Sequence, residues 1–295
     1  MDSIRSGRFA HFAAGLSVSL LAVGALGACG SSSKPGSAAA SPTRPVASSA
    51  PRVLLVGTFH GHVGQYRTIQ SAVNAARAGD WILVAPGDYH ETADTTGPPS
   101  PYVSSGGFGG VYIGTSNVHV RGMDRSSVIV DGTKAGAAAC SAAPADQNYG
   151  RVDTNGKHEG RNGIMIWKAN GVSVDNLTVC NFLAGSDSSG NEIWWNGGAG
   201  SGTIGVRGYS GSYLTATSTF FGAEGTAAQY GIFSSNAQGP ATWAHTYASN
   251  FNDSGMYVGA CLQVCGITIR DAWLEYNALG YSGTNSGGAI VIEDS

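Results

Sequence analysis

At 295 residues the chain has room for one elongated domain and a leader. Glycine, at 45 residues, has about twice its usual share, and charged residues, at 12%, about half theirs, which suits a fold rich in tight turns; plentiful aromatic and β-branched residues exclude disorder for most of the chain. The formal net charge of −3, with no basic stripe, excludes an electrostatic footprint for nucleic acid.

The first residues read as an export signal. Arg5 and Arg8 make a basic start, an apolar run over 13–28 follows, and small residues come next. That run is too short for a membrane span. Leu26-Gly27-Ala28-Cys29 resembles the lipobox of bacterial lipoproteins. The resemblance implies a signal peptide over 1–28 and a lipid on Cys29; an ordinary signal peptide with an incidental cysteine is the rival reading. Residues 30–51 are mostly Ser, Ala, Pro and Gly with almost nothing to bury, so 29–51 reads as a flexible tether. Lipid and tether would hold the folded part close to a bacterial membrane, outside the cytoplasm.

The folded part, 52–295, opens with a strand at Val53 to Val56. Residues 66–80 read as one helix: Thr68 suits the N-cap, Ile69, Ala72, Val73 and Ala76 make an apolar stripe, and Gly79 can stop it. A strand at 81–85 follows, broken by Pro86-Gly87. Such a helix can cover the open end of a stack of strands.

Downstream, one signature recurs. A glycine opens a short apolar run in Gly110-Val111-Tyr112-Ile113, Gly163-Ile164-Met165-Ile166, Gly231-Ile232-Phe233, Gly255-Met256-Tyr257-Val258 and Gly288-Ala289-Ile290-Val291-Ile292. Most are followed, a turn later, by a second alternating run, at 118–121, 172–179, 213–220, 242–247 and 267–274. Two β-like segments recurring at about 24 residues in the tightest part predict a solenoid of stacked coils. Val172, Val174, Leu177 and Val179 alternate with a phase change at Asp175-Asn176, as a coil turning a corner requires. Asparagine suits such corners, because it tolerates left-handed backbone angles and can stack its amide on the next coil; Asn252 and Asn277 sit in like positions. The run 290–295 reads as a strand with no capping element after it, and predicts a domain that continues past the sequence given.

Thr68-Ile69-Gln70, Ala72, Ala75, Gly79-Asp80, Ile82, Val84 and Pro86-Gly87-Asp88-Tyr89 resemble the opening of right-handed parallel β-helix proteins of the pectin-lyase-like superfamily. Asn176-Leu177-Thr178-Val179 and Tyr276-Asn277 resemble repeats of its copper-accessory-like and uncharacterised bacterial members. The resemblance runs from Val53 to the end. It implies an all-β fold, a right-handed parallel β-helix solenoid with an N-terminal α-helical cap. That superfamily holds polysaccharide lyases, glycoside hydrolases, epimerases, accessory proteins and adhesins, so activity follows from the site and not from the fold. The Asn-Thr-Asp, Asp-Asp and Gly-His-Gly elements of polygalacturonase-like hydrolases are absent from this sequence, as is a convincing copy of the pectate-lyase calcium and arginine motifs.

Four cysteines remain for the folded part. An exported protein can oxidise them. Cys261 and Cys265 flank one turn, which suits a local bridge and leaves Cys140 and Cys180 to pair across coils. Metal binding competes with that reading, but no histidine or further cysteine stands at zinc spacing nearby. His60-Gly61-His62 lacks a third ligand, so no metal site is assigned.

Chemistry is expected on the long returning turns, 91–109, 131–162, 184–202, 222–230 and 278–287. Stacking would put equivalent turns on one side, as a wall. The candidate catalytic residues are Asp153, His158, Glu159 and Arg161 on one turn and Glu192 on the next; Trp194, Trp195 and Glu224 are the candidates for substrate contact. Indole rings pack on the apolar faces of sugars. Carboxylates serve glycoside hydrolysis or bind Ca²⁺, the cofactor this chemistry admits, and Arg or His can relay a proton in elimination. Each residue also has a plain structural role available: the tryptophans as loop anchors, His158 to Arg161 as an ion-pair turn, Asp153 as a turn former and Glu224 as a solvated charge. The expectation is an extracytoplasmic, lipid-anchored protein that acts on polysaccharide as a lyase or glycoside hydrolase. Its rival is a non-catalytic surface protein that binds a glycan or a protein.

Overall fold

The computed structural model describes residues 50–92, 109–186, 189–198, 202–222, 226–262 and 264–295. The expected signal peptide, Cys29, nearly all of the expected tether and Glu224 lie outside the described residues.

Strand β1 (Val53–Val56) leads into a small antiparallel hairpin, β2 (Thr58–Phe59) and β3 (His62–Val63). Helix α1 (Ile69–Ala75) follows, with Thr68 extended ahead of it and accepting the Ser71 amide through its side chain. Ile69, Ala72 and Val73 are buried. The Glu91 carboxylate accepts the Ile69 and Gln70 amides at 2.6 and 3.1 Å, satisfying donors that every helix start leaves orphaned. The helix is shorter than the 66–80 read from the sequence, because tertiary pairing claims both flanks. Tyr66 bridges to Val56, and Asp80 turns back to accept the Arg77 amide and the guanidinium of Arg52.

Strands β4 (Trp81–Val84), β5 (Gly87–Tyr89), β6 (Val111–Ile113), β7 (His119–Gly122) and β8 (Val128–Asp131) come next. Then follow β9 (Ile164–Trp167), β10 (Val172–Cys180), β11 (Asn191–Asn196), β12 (Val206–Thr217) and β13 (Tyr230–Ser235). The series closes with β14 (Ala237–Ser249), β15 (Ser254–Gly259), β16 (Ile267–Glu275), β17 (Leu279–Ser282) and β18 (Ile290–Glu293). One sheet runs β1-β4-β7-β10-β12-β14-β16-β18, with β5 and β8 pairing beside it; a second runs β17-β15-β13-β11-β9-β6. Pairing within both is parallel. From β9 onward each turn of the chain gives one strand to each sheet, so the chain winds as a parallel β-helix, right-handed as parallel crossovers are. Helix α1 touches β1, β4 and β6, the first strands of the stack.

The second sheet separates its side chains by alternation. Val111, Ile164, Ile193, Ile232 and Met256 share one register row and face the core. Tyr112, Met165, Trp194, Phe233 and Tyr257 form the adjacent row and pack as a separate cluster on the other face. The recurring glycines have a steric origin. A Cβ on Gly110 would lie 2.1 Å from the Gly163 carbonyl oxygen, one on Gly163 2.3 Å from that of Glu192, and one on Gly231 2.6 Å from that of Gly255. At these three glycines the next coil's backbone occupies side-chain space, whereas Gly288 has open space around it.

Two expectations are corrected. The stretch 184–202, read as a long turn, contains β11, a full member of the second sheet. The Gly288 run was grouped with the second-sheet strands, but β18 pairs with β16 in the first sheet, while β17, inside the expected turn 278–287, pairs with β15. The corner at Asp175-Asn176 is a single left-handed residue, Asn176, with φ 57°. Its amide donates to the Gly122 carbonyl of the neighbouring coil at 2.9 Å. Tyr213, His245 and Asp271 take the same corner in later coils, also with positive φ. Asn277 stacks as expected, accepting the Phe251 amide and donating to the Ala248 carbonyl, both at 3.0 Å, although the left-handed residue there is Tyr276. Disulfides join Cys140 to Cys180 and Cys261 to Cys265.

Candidate functional site

The residues expected on the wall divide between a surface hairpin and the interior. Val152 and His158 bridge in antiparallel fashion. Between them Asp153 accepts the Asn155 and Lys157 amides, each at 2.8 Å, and these bonds hold its carboxyl below the usual range. The exposed His158 ring lies 5.3 Å from that of Tyr149. Glu159 pairs with the exposed Arg151 at 3.3 Å. All three groups are engaged by local partners.

Arg161 and Glu192 point the other way. The buried Arg161 guanidinium donates to the carbonyls of Gly132 (2.6 Å), Glu91 (2.8 Å) and Gly109, and sits 5.0 Å over the Phe182 ring. It straps separate turns together, and burial lowers its pKa to about 10. Glu192 is fully buried and accepts the Phe182 amide at 3.2 Å. Burial pushes its pKa well above the usual value, more than that amide and Arg161 hold it down. Folded, it keeps a proton that the unfolded chain releases above the ordinary carboxylate range, so its contribution to stability falls as pH rises. Glu192→Gln keeps the shape without the ionisation. The Tm difference, variant minus wild type, is expected to grow in the variant's favour from pH 5 to pH 8 in thermal melts; a constant difference would show that Glu192 does not titrate this way.

Adjacent on β11, Trp194 and Trp195 face opposite sides. Trp195 fills the core against Tyr209 and Trp243, with ring centroids 5.6 and 5.9 Å away, and donates to the Val172 carbonyl. Trp194 stacks on Phe233 at 5.0 Å, donates to the Ser235 hydroxyl and is only 5% exposed. Neither ring offers a free face to a sugar. The five candidate catalytic residues therefore do not converge on one surface.

What the winding does assemble is a groove on the outer face of the first sheet. Trp81, His119, Ser173, Ser210 and Thr242 occupy one register row on β4, β7, β10, β12 and β14. They line an open groove of about 470 Å³ together with Asp175, edged by Gly171, Tyr209, Pro240 and Ala241. Trp81, 36% exposed, stacks on the His119 ring at 4.6 Å and 24°. A ring nitrogen of His119 lies 3.0 Å from the Ser173 hydroxyl, and Asp175 accepts the Ser212 hydroxyl at 2.5 Å. The groove thus presents one aromatic platform and a polar floor. Sequence reasoning missed it by searching turns. Its signal was the polar residue alternating with apolar ones in successive second runs, His119, Ser173 and Thr242; Ser210 lies ahead of the run read at 213–220, in a strand that starts earlier, at Val206.

No family model and no curated protein matches the chain. Among solved structures it is similar to a pectin methylesterase from Erwinia chrysanthemi, at 14% identity over 76% of this chain and 66% of that one, TM-score 0.38. It is also similar to the pectin methylesterase from Aspergillus niger, at 13% identity over 85% and 88%, TM-score 0.38. A rhamnogalacturonan lyase is similar at 11% identity over 81% of this chain and 65% of that one, TM-score 0.39. These are right-handed parallel β-helix proteins of the pectin-lyase-like superfamily, the one the opening motif resembles. The fold itself rests on the strand pairing, and these likenesses carry nothing about activity.

Proposed function

We propose that this protein holds a polysaccharide along the outer face of its first sheet. The observation that carries the reading is the continuous row from Trp81 to Thr242, lining one open groove. Strands stack about 4.8 Å apart, so five coils span roughly 19 Å, enough for several linked sugar rings. The Trp81 indole can pack on an apolar sugar face. Ser173, Ser210, Thr242 and Asp175 can exchange hydrogen bonds with sugar hydroxyls. Holding is favoured over cleaving, because hydrolysis needs two carboxyl groups about 5–10 Å apart and Asp175 is the one carboxylate among the described lining residues. Export and a lipid on Cys29 complete the reading: a surface-anchored protein that presents this sheet to a glycan outside the cell.

The test is affinity electrophoresis against neutral and acidic polysaccharides, with and without Ca²⁺. Trp81→Ala is expected to weaken retention about tenfold, which corresponds to ~1.4 kcal/mol, and Phe221→Ala, exposed and outside the groove, to leave it unchanged. No retention on any polysaccharide, or equal retention by Trp81→Ala and wild type, overturns the proposal. Release of unsaturated products or reducing ends would return the protein to the lyase or hydrolase reading.

A further inference from the structure

Away from the groove, two neighbouring strands bring a histidine and two carboxylates together. Strands β5 and β8 pair in parallel with Tyr89 opposite Val130, so the next residues, His90 and Asp131, are neighbours. Asp88 stands two positions before His90. Ligand atoms of the three lie within 4.8 Å of one another. Sequence spacing hid this set, because the second carboxylate comes from the next strand of the stack.

The hydrogen bonds decide what the cluster lacks. His90 Nδ1 is 3.0 Å from the Thr133 carbonyl oxygen. A carbonyl only accepts, so Nδ1 carries a hydrogen; Nε2 then keeps a lone pair in the neutral imidazole or carries a second hydrogen in the imidazolium. That Nε2 lies 3.2 Å from the carboxylate oxygen Oδ2 of Asp88. Such a contact is bridged either by a proton on Nε2, which makes an ion pair, or by a metal ion that both atoms ligate. Asp131 carries a further negative charge on the same cluster and is aimed by the amides of Thr133 (2.7 Å) and Cys140 (2.6 Å). Thr133 thus orients both the imidazole and the carboxylate, the outer-shell arrangement that supports metal ligands. Its own hydroxyl is buried and has no hydrogen-bond partner. The Cys140 and Cys180 sulfurs near Asp131 are joined in a disulfide and are not ligands.

We propose that Asp88, His90 and Asp131 bind a divalent transition metal of the zinc class. One imidazole with two carboxylates suits Zn²⁺ over Ca²⁺ or Mg²⁺, which take oxygen alone. Ligand distances of about 2.0–2.2 Å draw the three groups together through small side-chain rotations. The side chain of Asp88 is 30% exposed and that of His90 16%, while Asp131 is fully buried. The ion therefore reaches the site past Asp88, and a coordination position remains for water.

The experiment uses the full chain with its disulfides intact, stripped with chelator and titrated with Zn²⁺ by calorimetry and with Co²⁺ by visible absorption. Wild type is expected to bind one equivalent and to show Co²⁺ d–d bands. His90→Ala and Asp88→Asn are expected to weaken binding by about tenfold or more and to lose the bands, with unchanged metal-free melting. A His60→Ala/His62→Ala variant, altering the exposed pair in the first hairpin, is expected to bind as wild type. The proposal is overturned if wild type binds no better than His90→Ala, if the loss follows His60 and His62 instead, or if Ca²⁺ competes equally with Zn²⁺.

Discussion

Removing the Cys140–Cys180 disulfide in a Cys140→Ala/Cys180→Ala variant is expected to cost about 4 kcal/mol. The bond joins residues 40 positions apart, so breaking it releases a large closed loop in the unfolded chain, and the chain-entropy account scales with that length. The folded side loses anchorage as well. Cys180 ends β10 in the fully buried interior. The loop bearing Cys140 is tied to other coils by Asn181 donating to the Ser141 carbonyl and Thr219 donating to the Cys140 carbonyl. Urea unfolding midpoints measure the effect. The comparison is Cys261→Ala/Cys265→Ala, where the separation is 4 and the same account gives about 2 kcal/mol. A larger loss from the short bridge than from the long one would contradict the explanation.

Trp195→Ala is expected to cost about 3–5 kcal/mol, the range for deleting a buried large aromatic side chain. The ring is fully buried among Tyr209 and Trp243, and these neighbours come from separate strands of the other sheet, β12 and β14. Truncation leaves a cavity between the sheets that two rigid stacks cannot collapse to fill. It also removes the donor to the Val172 carbonyl. Trp273→Ala, at a ring 67% exposed on β16, is expected to stay within about 0.5 kcal/mol. A loss below about 1 kcal/mol for Trp195→Ala would mean that Trp195 does not support the core.

The contrast between the two tryptophans of β11 shows where pattern reading stopped. A strand with one wet face announces itself by alternation. β11 is buried on both faces throughout Asn191–Asn196, because the outer side of the second sheet carries its own aromatic cluster. With no polar beat and no glycine-led signature, the strand read as a loop, and Glu192 read as a surface acid. Arg161 was mistaken in the same way: its charge suggested solvent, but three backbone carbonyls supply its partners inside. Misreading 288–292 had a different cause. Its apolar run fits either sheet, and only the intervening β17 pairing with β15 decides which one receives it.

From residue order alone came the stacked coils, the helix start at Thr68 and the local Cys261–Cys265 bridge, because alternation, capping and a short loop are relations between near neighbours along the chain; the Cys140–Cys180 pairing followed by elimination. Tertiary winding decided which side chains meet: Trp81 with His119 and Ser173, and Asp88 and His90 with Asp131. Each meeting depends on the register between coils tens of residues apart. No single strand encodes that register; it is set where backbone meets backbone at the glycines and where each coil turns its corner.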